Sequence, residues 1–280
     1  MMGPADGQPV VILVGCGNMG RALLEGWLDH GIPAASITVV EPDGVKREAA
    51  LRRGVRTVTA AADAVDVDNA AAVVLAVKPQ AMNAALGNYR RFTPAGGGSA
   101  VFLSIAAGRT IDGIAALLGE ATPIVRAMPN TPACVRRGMT VACANGAADD
   151  SHRSLCETLL SAVGSVVWVD DEALLDPVTA VSGSGPAYVF LLAECLAEAG
   201  RAAGLPAALA DRLARETVSG AGELLARSEQ PAAQLRQNVT SPGGTTAAAL
   251  SILADAQTGL QPLMREAVAA ATRRARELAG

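Results

Sequence analysis

Short apolar runs alternate with amphipathic stretches along the first half of the chain. Five runs rich in β-branched residues stand at residues 10–14, 37–40, 72–77, 100–105 and 124–128. Runs of this length indicate buried strands, and the stretches between them have the periodicity of helices. Alternating strands and helices favour a parallel sheet with helices on both faces. We predict two more strands in this half, an edge strand at residues 138–144 and a strand at residues 166–169.

The pattern becomes helical at about residues 170 and 171 and stays helical from there on. A helix is predicted over residues 179–203, with Pro186 at an early position that needs no N–H and Gly204 as its stop. Four residues of the next helix share one face, namely Leu209, Leu213, Gly220 and Leu224. Two further helices are predicted over residues 245–256 and 261–278.

These two patterns together predict an α/β protein. Residues 9–170 would form an N-terminal Rossmann-like dinucleotide-binding domain, and residues 171–280 a C-terminal all-helical domain. A helical bundle of that size, rich in alanine and poor in bulky side chains, buries only a limited core by itself. Helix exchange with a second subunit would enlarge this core, so we expect a homodimer formed through the helical domain.

Composition narrows the class of partner to a small molecule. Of 280 residues, 50% are apolar, 18% are charged and only 2% are aromatic, and the net charge is -4 without a basic cluster. This balance argues against nucleic acid and against an anionic membrane surface. Five cysteines without CxxC spacing predict reduced thiols rather than a disulfide framework or a metal site. The short polar N-terminus is not typical of a signal peptide, and no uninterrupted apolar run is long enough for a membrane span, so we expect a cytoplasmic protein.

The first strand leads into GCGNMG at residues 15–20, which matches the GxGxxG pattern. In this pattern the first glycine allows a tight turn, the second lets a pyrophosphate approach the backbone, and the third lets helix pack on strand. Free N–H groups at the start of the next helix, predicted over residues 18–29, would hold the anion. A glycine turn without a ligand is the alternative. Glu41 favours the dinucleotide, because it ends the second strand 21 residues after Gly20, where an acidic side chain accepts hydrogen bonds from the ribose.

Glu41 also bears on which dinucleotide binds. Its carboxylate would repel the 2'-phosphate of NADP(H), so we predict that NADH is favoured over NADPH. Lys46 and Arg47, at the start of the next helix, would partly offset that repulsion.

Three later strands end in small or bent segments, at residues 76–80, 104–108 and 126–132. Open α/β sheets bind their ligands at the carboxyl ends of the strands, so the nicotinamide should lie there. Alternatively, Pro79 and Pro129 only end strands and Lys78 only solvates the rim. The predicted cofactor-binding residues are Gly15, Gly17, Asn18, Met19, Gly20, Glu41, Ala76, Val77, Lys78, Pro79, Ala106, Ala107, Gly108, Met128, Pro129 and Asn130.

A second donor-rich turn, SPGGTT at residues 241–246, precedes a predicted helix. Its hydroxyls and the helical N–H groups suit a substrate carboxylate, while capping of the helix by Ser241 or Thr245 is an equal alternative. The only histidines, His30 and His152, lie in turn-like segments away from the strand ends. An imine substrate fits this scarcity of acid–base residues, because reducing a C=N bond needs only a hydride donor, an orienting pocket and a proton.

Six segments together resemble pyrroline-5-carboxylate reductase. They are GCGNMG at residues 15–20, AVKP at 76–79, SIAAG at 104–108, RAMPNTP at 126–132, VSGSGPAY at 181–188 and SPGGTT at 241–246. They occur in the family's order and cover nearly the whole chain. The last two are specific, whereas many dehydrogenases share the first.

The resemblance implies reduction of 1-pyrroline-5-carboxylate to L-proline, the final step of proline synthesis. It implies that the loop at residues 241–246 holds the carboxylate, that the Thr246 hydroxyl hydrogen-bonds the ring nitrogen and helps to protonate it, and that Glu229 borders the active site. Glu229 as a plain exposed loop residue is the alternative. The implied catalytic residues are Thr246 and Glu229, and the implied substrate-binding residues are Val181, Ser182, Gly183, Ser184, Ser241, Gly243, Gly244, Thr245 and Thr246.

The resemblance also implies dimers through the helical domain, often assembled into larger rings. Glu41 departs from members of the family that prefer NADPH. Two other interpretations stay open: another enzyme of the same architecture, such as a β-hydroxyacid dehydrogenase using Lys78 as base or a reductase of a different cyclic imine, and a noncatalytic dinucleotide sensor.

Overall fold

The computed structural model describes residues 9–61 and 69–279 of the chain. Most of the strands up to residue 168 are followed by a helix, and helices without strands follow in the described part of the chain. The strands are β1 (Val10–Val14), β2 (Ile37–Val40), β3 (Arg56–Val58), β4 (Ala70–Leu75), β5 (Val101–Ser104), β6 (Ile124–Met128), β7 (Gly138–Ala144) and β8 (Gly164–Trp168). The helices are α1 (Asn18–Asp29), α2 (Gly44–Leu51), α3 (Pro79–Leu86), α4 (Ile111–Leu118), α5 (Asp150–Ser161), α6 (Leu175–Val178), α7 (Gly185–Ala202), α8 (Ala207–Arg227), α9 (Ala232–Asn238), α10 (Thr245–Leu253) and α11 (Leu260–Ala279).

The strands form one sheet in the order β3-β2-β1-β4-β5-β6-β7-β8 among the described residues, parallel except where β7 runs against β6. The predicted parallel sheet is confirmed. The prediction that β7 is an edge strand is wrong, because β7 also pairs in parallel with β8, with Ala142 beside Trp168. Helix α5 returns the chain so that β8 takes the edge position. Chain order reverses at β1, which lies between β2 and β4, and dinucleotides bind at such a switch point.

Both faces of the sheet are covered by apolar clusters. One contains Leu13, Trp27 and Leu159, and the other contains Ile12 and Phe102. The indole N–H of Trp27 donates to the carbonyl of Leu159 at 2.8 Å, so α1 and α5 are joined by a buried hydrogen bond as well as by packing. The side chains named here are fully buried within the single chain.

The chain divides into two compact units. The first runs to Gly183 and includes the chain from Thr272 onward, and the second is Ser184–Ala271. The predicted division into a dinucleotide-binding domain at residues 9–170 and a helical domain at residues 171–280 stays a prediction. One segment departs from the expected continuous helix over residues 179–203, because Thr179–Gly183 forms a π-helix before α7 begins.

The second unit leaves much of its apolar surface exposed. Helices α7 and α8 pack through small residues, with Gly200 facing Ala210. The predicted leucine face of α8 is exposed, whereas Ala210 and Ala214 are buried. Several large side chains of α7 are exposed, namely Val189, Phe190, Leu191, Leu192 and Leu196. By length and composition, Glu172–Ala202 is the one stretch in the described parts of the chain apolar enough to cross a membrane, and only 11% of its apolar window is buried. A helix that packs against another subunit has the same properties.

Candidate active site

The glycine turn between β1 and α1 has the geometry that a pyrophosphate needs. Gly15 has φ +89°, and a Cβ there would lie 2.9 Å from the carbonyl oxygen of Ala76, so the turn packs directly on the end of β4. At Gly17 a Cβ would have no described atom within 4 Å. Gly17 is also the N-cap of α1, and no described side chain caps the helix. The open space and the uncapped helical N–H groups therefore coincide, as anion binding requires.

Glu41 is tied to this turn rather than extended into solvent. It is 5% exposed, and its two carboxylate oxygens accept hydrogen bonds from the N–H groups of Cys16 at 2.7 Å and Asp43 at 3.0 Å. Each oxygen keeps a further lone pair for a ribose hydroxyl. Burial and the neighbouring Glu41 charge raise the pKa of the Cys16 thiol to about 11, so this thiol stays neutral. The sequence predicted the ligand-facing role of Glu41 but not its role in holding the glycine turn.

The two cations after Glu41 are engaged elsewhere. The Arg47 guanidinium donates to the carbonyls of Glu41 and Pro42, both at 3.1 Å, and Lys46 lies 3.6 Å from Asp43. Asp43 caps α2, and the N–H of Lys46 lowers the pKa of its carboxyl. These contacts stabilise the loop after β2. Neither cation forms an ion pair with the Glu41 carboxylate among these contacts.

The ends of β4 and β5 are linked by a residue that the sequence did not single out. The guanidinium of Arg109 donates two hydrogen bonds to the carbonyl of Pro79, at 3.0 Å from Nε and 2.7 Å from Nη2. This joins the segment Ala106–Gly108 to the segment Ala76–Pro79. Lys78 is exposed and is the N-cap residue of α3, with Pro79 at the helix start. The one signal of this link in the sequence is that Arg109 directly follows Gly108, at the end of a predicted cofactor-binding segment.

The end of β6 meets the π-helix. Asn130 was predicted to contact the cofactor. Its Nδ2 donates to Ser182, and its Oδ1 accepts a hydrogen bond from the N–H of Met139. A Cβ at Gly183 would lie 2.7 Å from Met128 Cε. The structure thus brings two of the predicted motifs together, residues 128–130 and residues 181–183.

A partly buried ion pair also begins on β6. Arg126, which is 5% exposed, donates to Glu172 at 2.7 Å, and the same oxygen of Glu172 accepts the N–H of Ile111 at 2.9 Å. The pair therefore connects β6, the start of α4 and the segment after β8. Neither residue was predicted to belong to the site, since Arg126 lies inside a strand pattern and Glu172 lies in a polar turn.

The donor-rich turn ends in an open helix N-terminus. Gly244 is the N-cap of α10 and Gly243 has φ +71°, while no described side chain caps the helix. Capping by Ser241 or Thr245, the alternative to a ligand site, is therefore not what the structure shows. The hydroxyls of Thr245 and Thr246 have no hydrogen-bond partner in the described part of the chain. The first turn of α10 presents unpaired donors of both kinds, and such a site suits an anion.

Glu229 lies exposed in the turn between α8 and α9. Its neighbour Gln230 accepts a hydrogen bond from Asn238 at 2.9 Å, which ties this turn to the residues that lead into the donor-rich turn. Both histidines are engaged at helix ends: His30 contacts the carbonyl of Gly26, and His152 completes the capping box of α5 with Asp149.

Comparison with known proteins places these features in one family. A family model described as pyrroline-5-carboxylate reductase dimerisation matches residues 172–278, and one described as coenzyme F420-dependent NADP oxidoreductase matches residues 9–108. A pyrroline-5-carboxylate reductase of Pseudomonas aeruginosa is 41% identical over 271 residues, covering 97% of each chain. The structure of the Coxiella burnetii enzyme has a TM-score of 0.91 at 37% identity and covers 98% of this chain and 99% of that one. The Plasmodium falciparum enzyme with NADP bound has a TM-score of 0.81 at 27% identity and covers 99% and 100%.

Proposed function

The chain belongs to the pyrroline-5-carboxylate reductase family, and from this premise we propose that it reduces 1-pyrroline-5-carboxylate to L-proline with NAD(P)H, the last step of proline biosynthesis. The observation that carries the proposal is the uncapped start of α10, where Thr245 and Thr246 keep free hydroxyls beside unpaired N–H groups. That set of donors recognises a carboxylate without needing a cation.

Each donor has a distinct task in this proposal. The N–H groups and hydroxyls of Ser241–Thr246 bind the substrate carboxylate, and Thr246 hydrogen-bonds the ring nitrogen and assists its protonation. Val181–Ser184 contact the ring, and Glu229 borders the site. Because His30 and His152 are bonded within or beside their own helices, the scarcity of acid–base residues fits reduction of an imine better than oxidation of an alcohol.

The cofactor residues follow from the glycine turn. The N–H groups at the start of α1 bind the pyrophosphate through the open face of Gly17, and Glu41 accepts the ribose hydroxyls. Residues 76–79 and 106–108, together with Met128 and Pro129, surround the nicotinamide end. When bound, the nicotinamide supplies the hydride to the imine carbon.

NADH is the preferred cofactor in this proposal. Two backbone N–H groups fix the Glu41 carboxylate, so it is not free to rotate away from a 2'-phosphate. Arg47 is bonded to backbone carbonyls and Lys46 pairs with Asp43, which weakens the compensation that the sequence suggested. A kcat/KM ratio for NADPH over NADH well above one would contradict the preference.

A homodimer through the helical unit is the proposed assembly, and a larger ring built from such dimers is compatible with it. The exposed apolar side chains of α7 supply the surface, and Phe190 at 62% exposure is the largest of them. Sedimentation should show a dimer at low micromolar concentration that dissociates in Phe190→Glu. A stable wild-type monomer would reject the assembly. The cytoplasmic location stays a prediction.

The test of the reaction is oxidation of NADH that depends on 1-pyrroline-5-carboxylate, with formation of L-proline measured in parallel. Equal molar amounts of the two products are expected. A folded chain that binds NADH tightly but turns over no imine would instead be a sensor, and turnover of a β-hydroxyacid with NAD that Lys78→Met abolishes would indicate a dehydrogenase.

A further inference from the structure

We infer that Asn130 is a positioning residue, which holds the π-helix Thr179–Gly183 against the end of β6 and so sets the place of the substrate-contacting residues Val181–Gly183. The inference rests on the proposed function for the role of that segment. It assigns Asn130 to the substrate side of the site rather than to the cofactor.

Both ends of the Asn130 amide are committed to the protein. Oδ1 accepts the N–H of Met139 at 2.9 Å, and Nδ2 donates to the carbonyl and to the hydroxyl of Ser182, both at 3.2 Å. The partners fix the orientation of the amide, since a backbone N–H needs an acceptor and a carbonyl needs a donor. One side chain thus joins the end of β6, the start of β7 and the π-helix.

Ser182 needs this donor because of the sequence that follows it. In an α-helix the carbonyl of Ser182 would accept the N–H of residue 186, but residue 186 is proline and has none. The N–H of Ala187 is also taken, since it donates to the carbonyl of Ser184 at 3.0 Å. Asn130 supplies the hydrogen bond that Pro186 removes from the helix.

Steric contact with β6 also fixes the position of the π-helix. Gly183 lies so close to Met128 that an added Cβ would come within 2.7 Å of Met128 Cε. Thr179 further stabilises the widened turn, because its hydroxyl donates to the carbonyl of Leu175 at 2.7 Å. π-Helical turns are frequent at functional sites, and this one is attached to β6 by contact on one side and by an amide on the other.

The first test compares wild type with Asn130→Asp. Aspartate keeps the shape of the side chain and the acceptor for Met139 but sets an oxygen against the Ser182 carbonyl. We expect KM for 1-pyrroline-5-carboxylate to rise about five- to tenfold, the effect of one lost hydrogen bond, while the Kd for NADH stays within about twofold. A raised Kd for NADH with an unchanged KM would overturn the inference in favour of a cofactor contact. A lower melting temperature with both constants unchanged would reduce Asn130 to a stabilising residue and also overturn it.

The second test does not depend on turnover. Amide hydrogen exchange of the ligand-free protein should be faster at residues 179–183 in Asn130→Ala than in wild type, and unchanged in α8. Unchanged exchange at residues 179–183 would contradict the link itself. A wild-type chain without turnover would reject the proposed function and the substrate half of the inference, while the exchange still decides the structural half.

Pro186→Ala provides a rescue. It restores an N–H that can donate to Ser182, so Asn130→Ala should accelerate exchange less in the Pro186→Ala background than in wild type. An equal acceleration in both backgrounds would show that Asn130 does not compensate for Pro186.

Discussion

The two compact units differ in how their apolar side chains are covered. In the first, Trp27 and Phe102 are fully buried between the sheet and its helices. In the second, Phe190 and several leucines of α7 remain exposed, and the buried contacts of α8 are made by Ala210 and Ala214. Apolar side chains therefore form a core in one unit and, in our proposal, an intersubunit surface in the other.

The two units also differ in the turns that we propose as ligand sites. Each unit contains a glycine-containing turn that ends in an uncapped helix start, Gly17 for α1 and Gly244 for α10. The first turn donates a backbone hydrogen bond to the carboxylate of Glu41, which lies outside the turn, whereas the second turn carries hydroxyls of its own at Thr245 and Thr246. The difference suits a large cofactor bound by backbone and a small substrate bound by side chains as well.

The sharpest contrast in stability is between Trp27→Ala and Phe190→Ala. Trp27→Ala should lower the free energy of unfolding by about 3–5 kcal/mol, because it leaves a cavity and removes the hydrogen bond to Leu159. That loss should not depend on protein concentration. The loss in Phe190→Ala should shrink on dilution, because the variant weakens association and wild type itself dissociates at low protein concentration. Denaturant unfolding at two protein concentrations separates them, and identical behaviour of both variants would remove the contrast.

Thr246→Ala should give the largest kinetic effect in the helical unit. Loss of a hydroxyl that acts mainly in the transition state costs about 2–4 kcal/mol, which lowers kcat/KM roughly 30- to 1000-fold. Thr246→Ser keeps the hydroxyl and serves as the matched control, with most activity retained. Unchanged turnover in Thr246→Ala would remove the residue from the mechanism, and a raised KM with constant kcat would leave it as a carboxylate binder only.

Glu41→Gln tests the turn of the first unit. Removing the charge should raise the ratio of kcat/KM for NADPH over NADH about tenfold, since repulsion of the 2'-phosphate is lost. Weaker support of the glycine turn would affect both cofactors alike, so the ratio isolates the charge. A ratio that does not move would show that Glu41 only stabilises the turn.

The smallest effect is expected for Lys78→Met. Lys78 is exposed at the start of α3, and the proposed imine reduction uses no lysine base, so kcat/KM should fall by less than about threefold. The pH dependence of kcat should also stay unchanged. Abolished activity would place Lys78 in the chemistry and favour a dehydrogenase.

The sequence predicted most of the fold because periodicity is a local signal. The bounds of β1, α1 and β6 agree with their apolar patterns. The position of β7 was not predicted correctly, because which strands neighbour each other depends on where α5 returns the chain. The π-helix was also missed, since a widened turn has the composition of the helix around it.

The candidate site, like the fold, was predicted from the sequence only where its signal is local. Its glycine turns were predicted from spacing, whereas Arg109 and the pair Arg126 and Glu172 were not, because their partners lie far away in sequence. Asn130 was identified as a site residue from its motif, but its hydrogen bond to Ser182 depends on tertiary structure.

The most direct test of the account is to supply NADH dideuterated at the nicotinamide C4 with 1-pyrroline-5-carboxylate and to locate the label in the product. We predict L-proline with one deuterium on the ring carbon beside nitrogen that bears no carboxylate. L-proline without that label, or no L-proline from folded protein, would contradict the proposed reduction.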